Sequence, residues 1–114
     1  MIKVLVFIKK RDGISLESFI RHYEEVHVPL VEELLPMYAG YRRNYLTEGI
    51  YPAGVAREFD VVTELLFADS NAYADWLAAL EDPAVLNLIR KDEENFIDSS
   101  QTIMWTVDAQ GQCH

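Results

Sequence analysis

His27 is the side chain of this 114-residue chain best suited to moving a proton. It lies in SLESFIRHYEEVHVPLVEELLP, residues 15–36, where apolar side chains recur at Leu16, Phe19, Ile20, Tyr23, Val26, Leu30, Val31 and Leu34. That spacing is one face of a 3.6-residue helix, and His27 falls inside the series. Pro29 lacks a backbone N–H and biases Val28 away from the helical region. The pattern therefore predicts a helix that breaks near His27-Val28 and resumes at Pro29. An imidazole turned inward at a break has an ordinary pKa of ~6.5 and can serve as general acid or base. The structural alternative is a core histidine whose ring is satisfied by a carbonyl that Pro29 frees.

A base needs an orienting carboxylate, and strand-like FDVVTELLF offers Asp60 and Glu64. Four strand residues separate their Cα atoms by roughly 13 Å, too far for a paired dyad. Either could still meet His27. A carboxylate within an apolar strand is costly to bury unpaired, which makes Glu64 the more informative of the two. Its structural alternative is an interface ion pair; Asp60 could simply start the strand. Tyr23, Tyr45, Trp76 and Trp105 are candidate walls of an aromatic substrate pocket, although aromatic residues at core spacing also fit a plain core. His22 lies beside Arg21 and off the apolar stripe, and is expected in solvent. His22 and His27 are five apart and diverge on a regular helix, so no metal site is expected. No Gly-rich phosphate loop, GxSxG elbow or HExxH occurs.

The elements that must position these groups follow in order. IKVLVFI (residues 2–8) reads as a buried strand, and Arg11-Asp12-Gly13 as a turn. Ser15 caps the His27 helix, and Pro36 ends it. Residues 40–47 read as a strand, residues 48–58 as a loop and residues 59–67 as the clearest strand. Asp69-Ser70 caps a helix bearing Tyr73, Trp76, Leu77 and Leu80. Asp82-Pro83 opens another, with Val85, Leu86 and Ile89 inward. Residues 102–107 form a last strand. The order β-α-β-β-α-β predicts an α+β, ferredoxin-like subunit: a four-stranded antiparallel sheet with its helices on one face. The other face mixes large apolar residues with charges. We expect it to be covered by a second copy, giving a homodimer packed sheet to sheet.

Composition bounds the rest. The length suits one domain, expected over residues 1–108, with residues 109–114 as a flexible tail. Half the residues are hydrophobic. The longest apolar run is far short of the ~20 residues of a membrane span. Ten basic against nineteen acidic residues give a net charge of −9, which disfavours nucleic acid and anionic membranes. The lone Cys113 can form neither an internal disulfide nor a zinc cage. No signal peptide is read in the N-terminal strand, so a cytoplasmic location is the default.

The combination of KKRDGISLESF, HVPL, FDVVTELLF and the late DEENFID tract resembles the EthD family of the dimeric α+β-barrel superfamily, over about residues 2–107. The resemblance implies a ferredoxin-like subunit and a dimer whose sheets close a barrel. It also implies a pocket between sheet and helices for a small organic molecule. The family takes its name from a gene cluster for ether degradation, and relatives look like fungal polyketide-pathway enzymes. The superfamily includes cofactor-free monooxygenases, haem enzymes and lactone isomerases. His27 matches the family's histidine before x-Pro-Leu; Asp92 and Asp98 match its late acidic positions, where structural duty is the expected role. The activity implied is an oxidoreductase, monooxygenase or cyclase acting on an apolar substrate, with His27 as acid or base. No cofactor is expected, with haem on His27 as the alternative. A non-catalytic dimer that binds a hydrophobic ligand is the other.

Overall fold

The computed structural model describes residues 1–49 and 57–111. The middle of the expected 48–58 loop, together with Cys113 and His114, lies outside the described residues.

Four strands form one antiparallel sheet in the order β2-β3-β1-β4: β1 (Ile2–Ile8), β2 (Gly40–Tyr45), β3 (Val61–Phe67) and β4 (Ile103–Val107). Between β1 and β2 run α1 (Leu16–His22), a π turn (Tyr23–His27) and α2 (Val28–Leu34). Between β3 and β4 run α3 (Ser70–Glu81), α4 (Pro83–Glu93) and a short 3₁₀ turn (Ser99–Gln101). This is the ferredoxin-like α+β arrangement. The side chains that start the helices are those the sequence nominated. Ser15 accepts from Ser18 N–H, Asp69 from Ala72 N–H and Asp82 from Ala84 N–H, each meeting one of the free amides of a first turn. Gly13, at φ +89°, makes the turn that carries β1 into α1.

The strand register assigns the two faces. Val6 pairs with Thr63 and with Met104, and Tyr41 with Leu65; these point toward the helices. Two apolar clusters fill the space between. One joins Val4, Leu65, Phe67 and Trp76 to Val31 and Ile89; the other joins Ile8 and Val61 to Phe19, Tyr23, Val28 and Phe96. On the far face, Leu5 lies opposite Trp105 and Glu64, and Glu64 opposite Arg42. Trp105 is 62% exposed and Ile103 43%. The far face thus presents large apolar side chains to solvent, with Lys3 and Glu64 paired at 3.3 Å among them.

The helix carrying His27 does not break. Val28 is helical, at φ −58° and ψ −49°, and its N–H donates to the Tyr23 carbonyl five residues back. The expected interruption is instead a widened turn. A proline ring collides with the carbonyl four residues earlier in a regular helix. One extra residue in the turn moves that carbonyl aside, and π turns of this kind are common at functional sites.

Candidate functional site

Because the turn closes i to i+5, His22 and His27 face the same way and meet one carboxylate. His27 Nδ1 lies 2.9 Å from Asp92 Oδ2, and His22 Nε2 lies 2.8 Å from Asp92 Oδ1. Asp92 is the last-turn aspartate of α4, and its side chain is 11% exposed. The expectation that these histidines diverge, with His22 in solvent, is corrected: the His22 side chain is only 24% exposed. Phe96 packs beneath both rings, with centroids 4.7 Å from His22 and 4.9 Å from His27.

The DEENFID tract is fixed by the sheet. Arg11 N–H donates to the Phe96 carbonyl and Asp98 N–H to the Lys9 carbonyl, both at 2.9 Å. The segment is thereby laced to the end of β1. Each side chain then has one duty. Asp92 holds the two imidazoles, Phe96 and Ile97 are buried, and Asp98 caps the 3₁₀ turn by accepting from Ser100 N–H. Asp98 therefore has the structural duty expected of it, whereas Asp92 belongs to the site.

A carboxylate on Nδ1 selects the tautomer. Asp92 accepts the Nδ1–H, which leaves the Nε2 lone pair free. Burial holds the His27 pKa below its ordinary value; the Asp92 hydrogen bond and charge oppose this, and the His22 ring adds to it. Neutral His27 is the form of a general base.

His27 lines a cavity of about 400 Å³ between the sheet and the helices, within the ~300–1,000 Å³ typical of ligand pockets. Its walls are mostly apolar, with Val6, Ile8, Leu35, Leu65, Ile89 and Met104 among them. The polar groups are few. Tyr23, Tyr41 and Thr63 form a hydroxyl chain, with Tyr23 Oη 2.7 Å from Thr63 Oγ1 and the Tyr41 hydroxyl donating to Tyr23 Oη at 3.3 Å. Trp76 also lines the cavity, and its indole N–H is buried with no acceptor among the described residues. Leaving such a donor unmet costs about 1–3 kcal/mol, which a ligand carrying an acceptor would recover. Arg90 and Glu93 of α4 and, beyond it, Ser99 and Thr102 also line the cavity. Burial pushes the Glu93 carboxyl up to about 7, against the pull of Arg90 and with a further push from Asp92.

The other nominated residues are placed as follows. Tyr23 and Trp76 line the cavity. Tyr45 does not: its hydroxyl donates to Glu24 Oε2 at 2.6 Å. Glu24 is also gripped by Arg43, with Nε–Oε2 at 2.9 Å and Nη2–Oε1 at 2.7 Å. That bidentate pair, chiefly through its hydrogen bonds, lowers the Glu24 pKa and ties the π turn to β2. Trp105 projects from the opposite face of the sheet and cannot wall this cavity. Asp60 accepts from Lys10 N–H at 2.7 Å and lies 3.5 Å from Arg57, locking the entry to β3. Glu64 is on the far face, bonded to Lys3 and to Asn44. Neither carboxylate orients His27; Asp92 does. Asp92 and Glu93 are adjacent on α4 and face different groups, and a sequence reading that treats the tract as structural misses both. Among the described residues no group of three His, Cys, Asp or Glu side chains is arranged to hold a metal ion.

Solved structures with this architecture include an EthD (ethyl tert-butyl ether degradation) family protein of Bacillus halodurans. It is 16% identical, with a TM-score of 0.66 over 96% of this chain and 100% of that one. A protein of Arabidopsis thaliana is 12% identical, with a TM-score of 0.66 and full coverage of both chains. A protein of Bacteroides fragilis described as dimeric and ferredoxin-like is 10% identical, with a TM-score of 0.58 over 95% of each chain. At these identities the likeness shows the fold. No curated protein matches the sequence. The family model of the EthD domain matches residues 11–100, the stretch that carries the π turn, both imidazoles and the Asp92 tract, and the chain therefore belongs to the EthD domain family.

Proposed function

We propose that this chain is an enzyme acting on a small, largely apolar organic substrate, with His27 Nε2 moving a proton and Asp92 fixing its tautomer. The observation that carries the reading is the His27–Asp92 bond at 2.9 Å beside a mainly apolar cavity. An imidazole buried only for packing normally has both ring nitrogens satisfied and no cavity beside it. Here the second nitrogen has no partner among the described residues, and the ring lines empty space. Proton abstraction in such a site opens both a cofactor-independent oxygenation and a cyclisation. A carbanion or phenolate formed there would itself supply the electrons, so neither route needs a resident cofactor.

The working unit is a homodimer joined through the far sheet face. Exposed Trp105 and Ile103, flanked by Leu5 and Phe7, are the support on this chain. The Bacteroides fragilis relative, described as dimeric, is the support from similarity.

The test screens phenols, hydroquinones and β-dicarbonyl compounds for product formation and oxygen uptake, with wild type, His27→Ala and Asp92→Asn. Loss of turnover in both variants with dimer and melting temperature retained supports the base. Unfolding of both variants makes His27 structural. Tight binding of a probe without product in the wild type makes the chain a ligand-binding module. A Soret band on adding haem that is lost in His27→Ala makes His27 an iron ligand instead.

A further inference from the structure

Among the polar groups on the cavity wall, His27 Nε2 and the Glu93 carboxyl make no hydrogen bond to the described residues, and the Trp76 indole N–H is buried without an acceptor. A ligand that fills the cavity must answer all three. The indole can only donate, so the ligand carries an acceptor there. An imidazole with Nδ1–H committed to Asp92 can only accept at Nε2, so the ligand carries an acidic hydrogen there. Glu93 lies on α4, which packs against the π turn that bears His27. The rest of the wall is mainly apolar.

Resting on the base reading of His27, we infer that the ligand is an apolar carbonyl compound with an acidic C–H beside its carbonyl, and that Glu93 is a catalytic residue that hands a proton to the carbonyl oxygen as His27 takes one from carbon. The step is an enolisation. The C–H bond breaks and its electron pair becomes the enol C=C. The carbonyl π pair takes the Glu93 proton to form O–H. His27 is left as imidazolium against Asp92, and Glu93 as carboxylate near Arg90. Return of the two protons, at the same or a different carbon, resets both groups. No oxidant or reductant is required.

The electrostatics favour this assignment. In water a glutamate is ionised, and a histidine half-protonated, near pH 6.5. Here burial raises Glu93 to about 7 and lowers His27. A neutral acid and a neutral base therefore coexist in one cavity, as proton transfer in both directions demands. The charged and titratable groups around Glu93 are Arg90 and Asp92 on its own helix and His27, Tyr23 and Tyr41 across the cavity. Helices α2 and α3 offer the lining only Val31, Trp76 and Leu80.

The probe is 2-tetralone, a bicyclic ketone with acidic α-hydrogens. Its exchange with D₂O is followed by proton NMR against tetralin, which lacks the carbonyl, as binding control. Wild type is expected to bind 2-tetralone more tightly than tetralin and to accelerate exchange. His27→Ala should abolish that acceleration. Glu93→Gln, which keeps an N–H donor, should retain 2-tetralone binding and lose about 10²-fold in exchange. The wild-type rate should fall as pH rises through about 7, and Glu93→Gln should remove that limb. Exchange lost in His27→Ala but unchanged in Glu93→Gln overturns the Glu93 assignment and leaves the base. Exchange unchanged in both variants overturns both. Failure of wild type to bind 2-tetralone, or to exchange its hydrogens, overturns the substrate class.

Discussion

A glutamate whose ionisation the fold opposes must cost stability at high pH, and Glu93 lets that cost be measured. Its carboxyl titrates at an ordinary 4.5 in the unfolded chain and at about 7 in the fold. The sign follows from linkage: the folded pKa is the raised one. Below 4.5 the group is neutral in both states and costs nothing. Between 4.5 and about 7 the unfolded chain sheds the proton while the fold keeps it, so stability falls as pH rises; above about 7 the loss is complete. The gap corresponds to about 3 kcal/mol. Glu93→Gln removes the titration but keeps the shape. Its stability relative to wild type should therefore rise by about 2–3 kcal/mol between about pH 5 and about pH 8.5, whatever fixed offset the amide itself brings. Urea unfolding of both proteins at each pH, at one protein concentration, reads this directly. At a slope of ~1.5 kcal/mol per molar, the midpoint gap should widen by ~1.5–2 M. A gap independent of pH would show that Glu93 reaches water in the fold, and the argument from burial would fail.

Other consequences concern the imidazoles, their support and the far sheet face. Nitrogen NMR of labelled histidine should find His27 as the Nδ1–H tautomer near neutral pH, with Asp92→Asn changing that signature and costing about 1.5–3 kcal/mol for one lost charge-assisted bond; an unchanged spectrum in the variant would exclude Asp92 as the orienter. The His27 contribution to stability should shrink as pH falls below ~6.5, because the unfolded chain then takes up a proton that buried His27 resists, so the stability of His27→Gln relative to wild type should rise toward acid pH in urea unfolding followed by circular dichroism. Phe96, 1% exposed and packed under both imidazoles, should cost about 3–5 kcal/mol as Phe96→Ala in chemical denaturation. Trp105→Lys should shift the mass seen by light scattering toward a single chain while leaving the circular dichroism of the fold intact; a mass equal to wild type would place any interface elsewhere.

The fold was legible because its signals are local. Ser15, Asp69 and Asp82 cap helices wherever they precede an apolar period, and alternating Val, Leu and Phe make strands without knowledge of their neighbours. The positions of Trp76 and Trp105 were not separable in the same way. Both belong to apolar periods, and β4 carries large apolar residues on both of its faces, Ile103, Trp105 and Val107 on one and Met104 on the other. Only the register, with Leu5 opposite Trp105 and Val6 opposite Met104, assigns one face to the cavity and the other to the outside. Glu93 was hidden for a related reason. Arg90 and Glu93 are one helical turn apart, which reads as an ordinary solvated pair, and their place on the cavity wall depends on how α4 is rotated against the sheet.

His22 and His27 mark the limit more sharply. At about 100° per residue, side chains five apart in a regular helix point about 140° away from each other. No carboxylate could bridge them, and reasoning from that period correctly rejects the pair. The extra residue in the π turn cancels most of this divergence and turns both rings onto Asp92. Pro29 gives a reason for the turn, since a regular turn there would press its ring against a backbone carbonyl. Arg43 and Tyr45 then hold it from β2 through Glu24. The irregularity that a proline would otherwise impose as a kink is thus kept inside a continuous helix and brings both imidazoles to one carboxylate. In this chain the proline two residues after the inward histidine marks a change of helical period rather than a helix end, and the residue five positions before that histidine shares its face and its carboxylate.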